Sequence, residues 1–211
     1  MIRILIADDH AIVRRGLMQI LLEGIPGVVF GEASNGHEVL QQIREQKWSL
    51  LTLDIGMPDR SGIDLLEDIQ LTNPQLPVLV LSIHPEDQYA RRVLRAGASG
   101  YLRKDTAPLE LTNAVRKILR GGRYVSPTLG EKLASDLYTK SSSTELKHEL
   151  LSNRELEVLR MMATGKTVTT IADSLTLSSK TVSTYRGRIL EKMGLTTTAE
   201  LIRYAIEHSL F

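Results

Sequence analysis

Five times within residues 1–122, a short β-branched or leucine-rich run is followed by a longer amphipathic stretch, and this alternation most constrains the fold. Strands are predicted near 2–7, 28–33, 49–53, 77–82 and 99–102, and helices near 11–23, 36–46, 61–72, 86–96 and 107–120. Leu76-Pro77-Val78-Leu79-Val80-Leu81 is apolar at successive positions, as expected of a parallel strand buried on both faces. Five βα repeats predict a doubly wound, five-stranded parallel sheet of the α/β class, with right-handed crossovers and helices on both sides. Ligands of such sheets gather beyond the carboxyl ends of the strands, where the strand order switches.

The pattern changes after Gly121-Gly122, which closes the fifth helix. Residues 126–138 suit one more helix, and Thr139 to Thr144 is polar and serine-rich. Ser152-Asn153-Arg154-Glu155 then forms a capping box ahead of an apolar periodic stretch. Helices are predicted near 153–163, 167–174, 179–193 and 198–208, the last opening on a second capping box, Thr197 to Glu200. The chain divides into an α/β domain over 1–122, a partly helical linker over 123–146, and a smaller all-α domain over 147–211.

A length of 211 residues suits two modest domains. The absence of cysteine excludes disulfides and cysteine-ligated zinc and fits a reducing cytosol. The N-terminus reaches paired acids at Asp8-Asp9 too soon for a signal peptide, and no apolar run approaches the roughly 18–20 residues of a membrane span. A cytoplasmic protein without a membrane partner is expected. The net charge of +1 hides a local bias, since residues 178–192 carry four basic groups against one acid.

Asp8 and Asp9 follow the first strand and Asp54 the third. In the order 2-1-3-4-5 these strands are neighbours, so three carboxylates converge at the switch point. Unpaired, they would raise one another's pKa values, which a hard divalent cation relieves. Lys104, after strand five, and Ser82, ending strand four, place an ammonium and a hydroxyl where a phosphoryl group would need them.

The same residues carry a resemblance. Ile4-Leu5-Ile6-Ala7-Asp8-Asp9-His10, Leu53-Asp54-Ile55-Gly56-Met57-Pro58-Asp59-Arg60-Ser61-Gly62, Leu81-Ser82-Ile83-His84 and Gly100-Tyr101-Leu102-Arg103-Lys104 resemble the receiver domain of two-component response regulators. With its C-terminal part, the chain is similar to the NarL/FixJ family of transcriptional regulators, with a flavodoxin-like receiver and a LuxR-type helix-turn-helix. The resemblance implies that Asp54 accepts phosphate from a sensor histidine kinase. It implies Mg²⁺, or Mn²⁺ in its place, held directly by Asp9, Asp54 and the Gly56 carbonyl, and by Asp8 through water. Ser82 would move toward the phosphoryl group and Tyr101 would turn inward behind it, a packing change driven by about two added negative charges.

Thr52 puts a hydroxyl in an otherwise apolar strand, and Gly56 leaves the pocket mouth without a side chain. His84 is better read as a loop histidine than as a catalytic base. An aspartyl phosphohydrolase of similar fold would need a second acid two residues after Asp54, where Gly56 stands, so no enzyme is expected. A binding-only regulator would not require the Asp8, Asp9, Asp54, Ser82 and Lys104 set.

Residues 167–193 read as a helix-turn-helix, with Ser178 capping its second helix. Val182, Tyr185, Ile189 and Met193 make the core stripe, while Lys180, Ser183, Thr184 and Gly187 lie opposite, in the half that enters a major groove. Arg186, Arg188 and Lys192 flank these as phosphate contacts. Leu177-Ser178-Ser179-Lys180-Thr181-Val182 resembles the family's Leu-Ser-x-Lys-Thr-Val core, which adds Ser178 and Thr181 to the DNA-facing set, and Lys166 is a further candidate for it. Thr170 stands where the family often has Glu, putting a local cap or salt bridge in doubt. The partner is then promoter DNA, bound by a homodimer formed on phosphorylation, with outer residues of helix 198–208 as candidates for its interface.

Overall fold

A computed structural model describes residues 1–57, 62–83, 85–139, 147–208 and 210. The chain forms two compact units, Met1–Tyr138 and Thr139–Phe211. In the first, β1 (Ile2–Ala7), β2 (Val28–Ala33), β3 (Leu50–Asp54), β4 (Val78–Ser82) and β5 (Gly100–Arg103) pair in parallel in the order β2-β1-β3-β4-β5. Helices α1 (Ala11–Gly24), α2 (Gly36–Glu45), α3 (Gly62–Thr72), α4 (Glu86–Arg95) and α5 (Ala107–Leu119) alternate with them.

Successive strand side chains point to opposite faces, and the core divides accordingly. Ile4, Ile6, Leu79 and Leu81 pack with Leu17 and Leu21 of α1 and Leu111 and Val115 of α5. Leu5, Leu51, Leu53 and Val80 pack with Val39 of α2, Leu66 of α3 and Val93 of α4 on the other side. Thr52, the hydroxyl within this apolar set, is fully buried and donates a long hydrogen bond, 3.5 Å, to the Leu5 carbonyl.

The first unit runs beyond the boundary at 122 read from the sequence. Tyr124 joins the free edge of β5, its N–H donating to Ser99 O at 2.9 Å and its carbonyl accepting from Tyr101 N at 3.2 Å. A Cβ at Gly100 would stand 2.7 Å from that carbonyl, so only glycine admits the pairing. A sixth helix, α6 (Pro127–Thr139), follows and buries Leu129 in the same cluster as Tyr101. The polar stretch 140–144 lies outside the described residues.

In the second unit a short 3-10 turn (Lys147–Leu150) precedes α7 (Asn153–Ala163), α8 (Val168–Ser174), α9 (Ser179–Met193) and α10 (Thr198–Glu207). Both capping boxes form, Ser152 with Glu155 and Thr197 with Glu200. Leu156, Leu159, Ile171, Val182, Ile189 and Leu201 form one core cluster, and Gly194 ends α9 with φ of 58°. No helix among the described residues is long and apolar enough to cross a membrane.

Candidate functional site

The sheet register brings the acidic residues together. Asp54 is the last residue of β3, opposite Leu81, and Asp8 extends β1 by donating its N–H to Ala33 O. Lys104 extends β5 in the same way, through its N–H to Ser82 O at 2.8 Å. Its ammonium lies 2.6 Å from Asp8 Oδ2 and 2.7 Å from Asp54 Oδ2, bridging two carboxylates that are both buried.

The remaining oxygens are partly held. Asp8 Oδ1 accepts from His10 N and Asp54 Oδ1 from Gly56 N, each at 2.9 Å. Burial pushes the Asp54 carboxyl above the usual carboxylate range, outweighing the Lys104 hydrogen bond that pulls it down. For Lys104, burial pulls downward, but its bonds to Asp54 and Asp8 and their charges win and leave it raised. Both partners rise because Asp54 is the more deeply buried of the two, so desolvation decides the acid and pairing decides the amine.

The donor set suits a hard divalent cation. Ligand atoms of Asp8, Asp9 and His10 lie within 4.8 Å of one another. His10 is the residue that sequence reasoning missed, with Nδ1 2.7 Å from Asp9 Oδ1. Its adjacency to the acid pair was the available signal. Asp54 is not in this trio, although Lys104 bridges its carboxylate to that of Asp8.

Tyr101, expected to turn inward, is already fully buried and hydrogen-bonded to Ser82. Leu129 of α6 lies in its core cluster, a neighbour that periodicity within 1–122 gave no reason to expect. The phenol is pushed up to about 12, chiefly by burial. Gly56 is exposed, and a Cβ there would lie 3.4 Å from both Asp54 oxygens. His84 and Pro58 to Ser61 lie outside the described residues.

In the second unit, Lys180, Ser183, Thr184, Arg186, Gly187 and Arg188 are all exposed on α9, while Val182, Ile189 and Met193 are buried. Ser178 caps this helix, accepting from Thr181 N at 3.0 Å, and its hydroxyl is 2.7 Å from that of Thr181. These two hydroxyls are thus occupied by the cap. Lys166 is exposed just ahead of α8. Lys192, grouped above with the phosphate contacts, is exposed and also pairs at 2.7 Å with Glu155, whose buried carboxylate caps α7. A buried charge recruits the nearest cation, which spacing along α9 alone does not reveal. Thr170 replaces a carboxylate cap with a 2.9 Å contact between its hydroxyl and that of Thr167.

Residues 4–116 match the response regulator receiver domain, and residues 149–205 match the bacterial regulatory proteins of the luxR family. The chain is a response regulator of the NarL/FixJ family. This response regulator is 36% identical over 211 residues to the response regulator GacA of Pseudomonas viridiflava, covering 100% of this chain and 98% of the relative. It is 35% identical to the response regulator UvrY of Escherichia coli, covering 100% and 96%. Among solved structures it resembles RcsB of Salmonella enterica serovar Typhimurium bound to promoter rprA with phosphomimetic BeF3⁻. That likeness has a TM-score of 0.63 at 30% identity, over 97% of this chain and 98% of the other. The response regulator is therefore a DNA-binding transcriptional regulator and not an enzyme.

Proposed function

We propose that the receiver accepts a phosphoryl group on Asp54 from a sensor histidine kinase and thereby controls promoter binding by α9. The observation that carries this reading is the ammonium of Lys104 held 2.6 and 2.7 Å from the buried carboxylates of Asp8 and Asp54. An Asp54 oxygen attacks phosphorus, the P–N bond to the kinase histidine breaks, and the histidine keeps the electron pair. Lys104 then neutralises charge on the transferred oxygens, a task of positioning and electrostatics. Asp8, Asp9 and Asp54, with the Gly56 carbonyl, would hold Mg²⁺ or Mn²⁺, which supplies positive charge to the phosphoryl oxygens when bound.

Ser82 relays the event. Turning its hydroxyl toward the phosphoryl group takes a partner from the Tyr101 phenol, and so perturbs the cluster that contains Leu129 of the linker. The receiver proper spans 1–122, the linker 123–146 begins on its sheet edge, and the DNA-binding domain spans 147–211. Phosphorylation favours a homodimer on paired half-sites, in the cytoplasm. Exposed Ala199 and Ile206 of α10 are available to its interface, whereas Leu201 and Ala205 belong to the core.

Incubation with acetyl phosphate and Mg²⁺, followed by intact mass, sedimentation and DNA-binding measurements, tests this reading. The parent should gain one labile phosphoryl group and bind DNA more tightly as a dimer, and Asp54→Asn should do neither. DNA binding that is identical with and without the adduct would reject it.

A further inference from the structure

Five serine and threonine hydroxyls, those of Ser178, Ser179, Thr181, Ser183 and Thr184, lie on the cap and N-terminal half of α9, and three of them are engaged within the chain. Ser178 and Thr181 serve the cap. Thr184 Oγ1 lies 3.0 Å from the Lys180 carbonyl oxygen, and since a carbonyl only accepts, the Thr184 proton is spent on its own helix. Ser183 is exposed and has no hydrogen-bond partner among the described residues. With the Thr184 hydroxyl folded back on the backbone, its methyl is the group left to face outward.

Thr184 is one of the residues, with Ser178, Lys180, Thr181, Tyr185 and Arg188, that line a shallow depression of about 280 Å³. Lys180 and Arg188 are one turn to either side of Thr184, so the depression is bracketed by cations. At Gly187, no heavy atom lies within 4 Å of where a Cβ would stand, and that flank is open. A base edge reaching Thr184 therefore meets a methyl group and not a hydrogen-bond donor. Only thymine presents a methyl group of its own in the major groove.

We propose that Thr184 selects a thymine through methyl–methyl contact, and that hydrogen-bond readout on this face falls to Ser183 and Lys180. The inference rests on the reading of α9 as the DNA-contacting helix.

The full chain, treated with acetyl phosphate and Mg²⁺, is used to select sites from a random duplex pool. The best duplex is then resynthesised with deoxyuridine replacing each thymine in turn, which removes only the 5-methyl group. At one thymine per half-site the replacement should weaken the parent about fourfold, the worth of one buried methyl group. Thr184→Val keeps a methyl and should keep that loss, whereas Thr184→Ser should bind both duplexes equally. A parent indifferent to uracil everywhere, or a Ser variant with undiminished sensitivity, overturns the proposal while the DNA-binding reading stands. Loss of binding in Thr184→Val at a selected adenine or cytosine would mean an accepting hydroxyl, and also overturns it. If no sequence is enriched and no duplex bound, the DNA-contacting role of α9 falls, and the proposal with it.

Discussion

The Tyr124 phenol donates a 2.6 Å hydrogen bond to Glu110 Oε2, fastening the segment after α5 back onto that helix. Burial first, and then the Glu110 carboxylate, push the phenol well above its ordinary pKa. One residue of β-pairing, this bond and a contact from Ser126 to Glu86 on α4 precede the burial of Leu129. The linker's first turn is thus part of the receiver's fold.

Leu129→Ala should therefore destabilise the receiver by about 2–4 kcal/mol, as core truncations do. Urea unfolding of the full chain, followed in the receiver transition, checks this. A cost near zero would mean that α6 is a passive spacer.

Asp54 gives a pH signature. Its folded-state pKa is raised from 3.8, so its favourable contribution is complete below 3.8 and is lost as pH rises through the raised value. In chelator at neutral pH, Asp54→Asn should melt at or above the parent temperature, and the gap should narrow as pH falls toward 3.8. Thermal melts across that window measure it.

Glu155 should behave in the opposite sense. Burial raises its pKa, but the Lys192 and Ser152 hydrogen bonds prevail and hold it below 4.5. Its contribution is present above 4.5 and lost as pH falls through the lowered value. Glu155→Gln should cost the C-terminal unit about 1–3 kcal/mol at neutral pH, the range for hydrogen bonds to a charged group. The deficit should vanish in acid, as followed by denaturant titration.

Thr176 holds φ of 54° in the turn between α8 and α9, an unfavourable conformation for a β-branched residue. Thr176→Gly should stabilise the C-terminal unit by about 0.5–1 kcal/mol, because relief of strain exceeds the added chain entropy. Calorimetry should show a higher melting temperature. A lower one would mean that the turn depends on the Thr side chain.

Gly56→Met should slow hydrolysis of the phosphorylated receiver several-fold. A side chain there begins 3.4 Å from both Asp54 oxygens and would shield the acyl phosphate from water. Decay of the adduct, timed by intact mass, gives the answer directly.

Sequence alone determined the layers and the caps, because those follow from local periodicity and from side chains three residues apart, whereas the strand order was assumed there and is seen in the sheet itself. Leu76 to Leu81 had to be an inner strand, and Ser152, Ser178 and Thr197 had to open helices. It also brought Asp8, Asp54 and Lys104 to one end of the sheet, since parallel strands align their carboxyl ends. Tertiary structure decided who bonds to whom there: Lys104 on two carboxylates, Lys192 on Glu155, Tyr101 inside with Ser82, and Tyr124 on β5. Those choices depend on desolvation and on partners tens of residues away, and neither leaves a period in the chain.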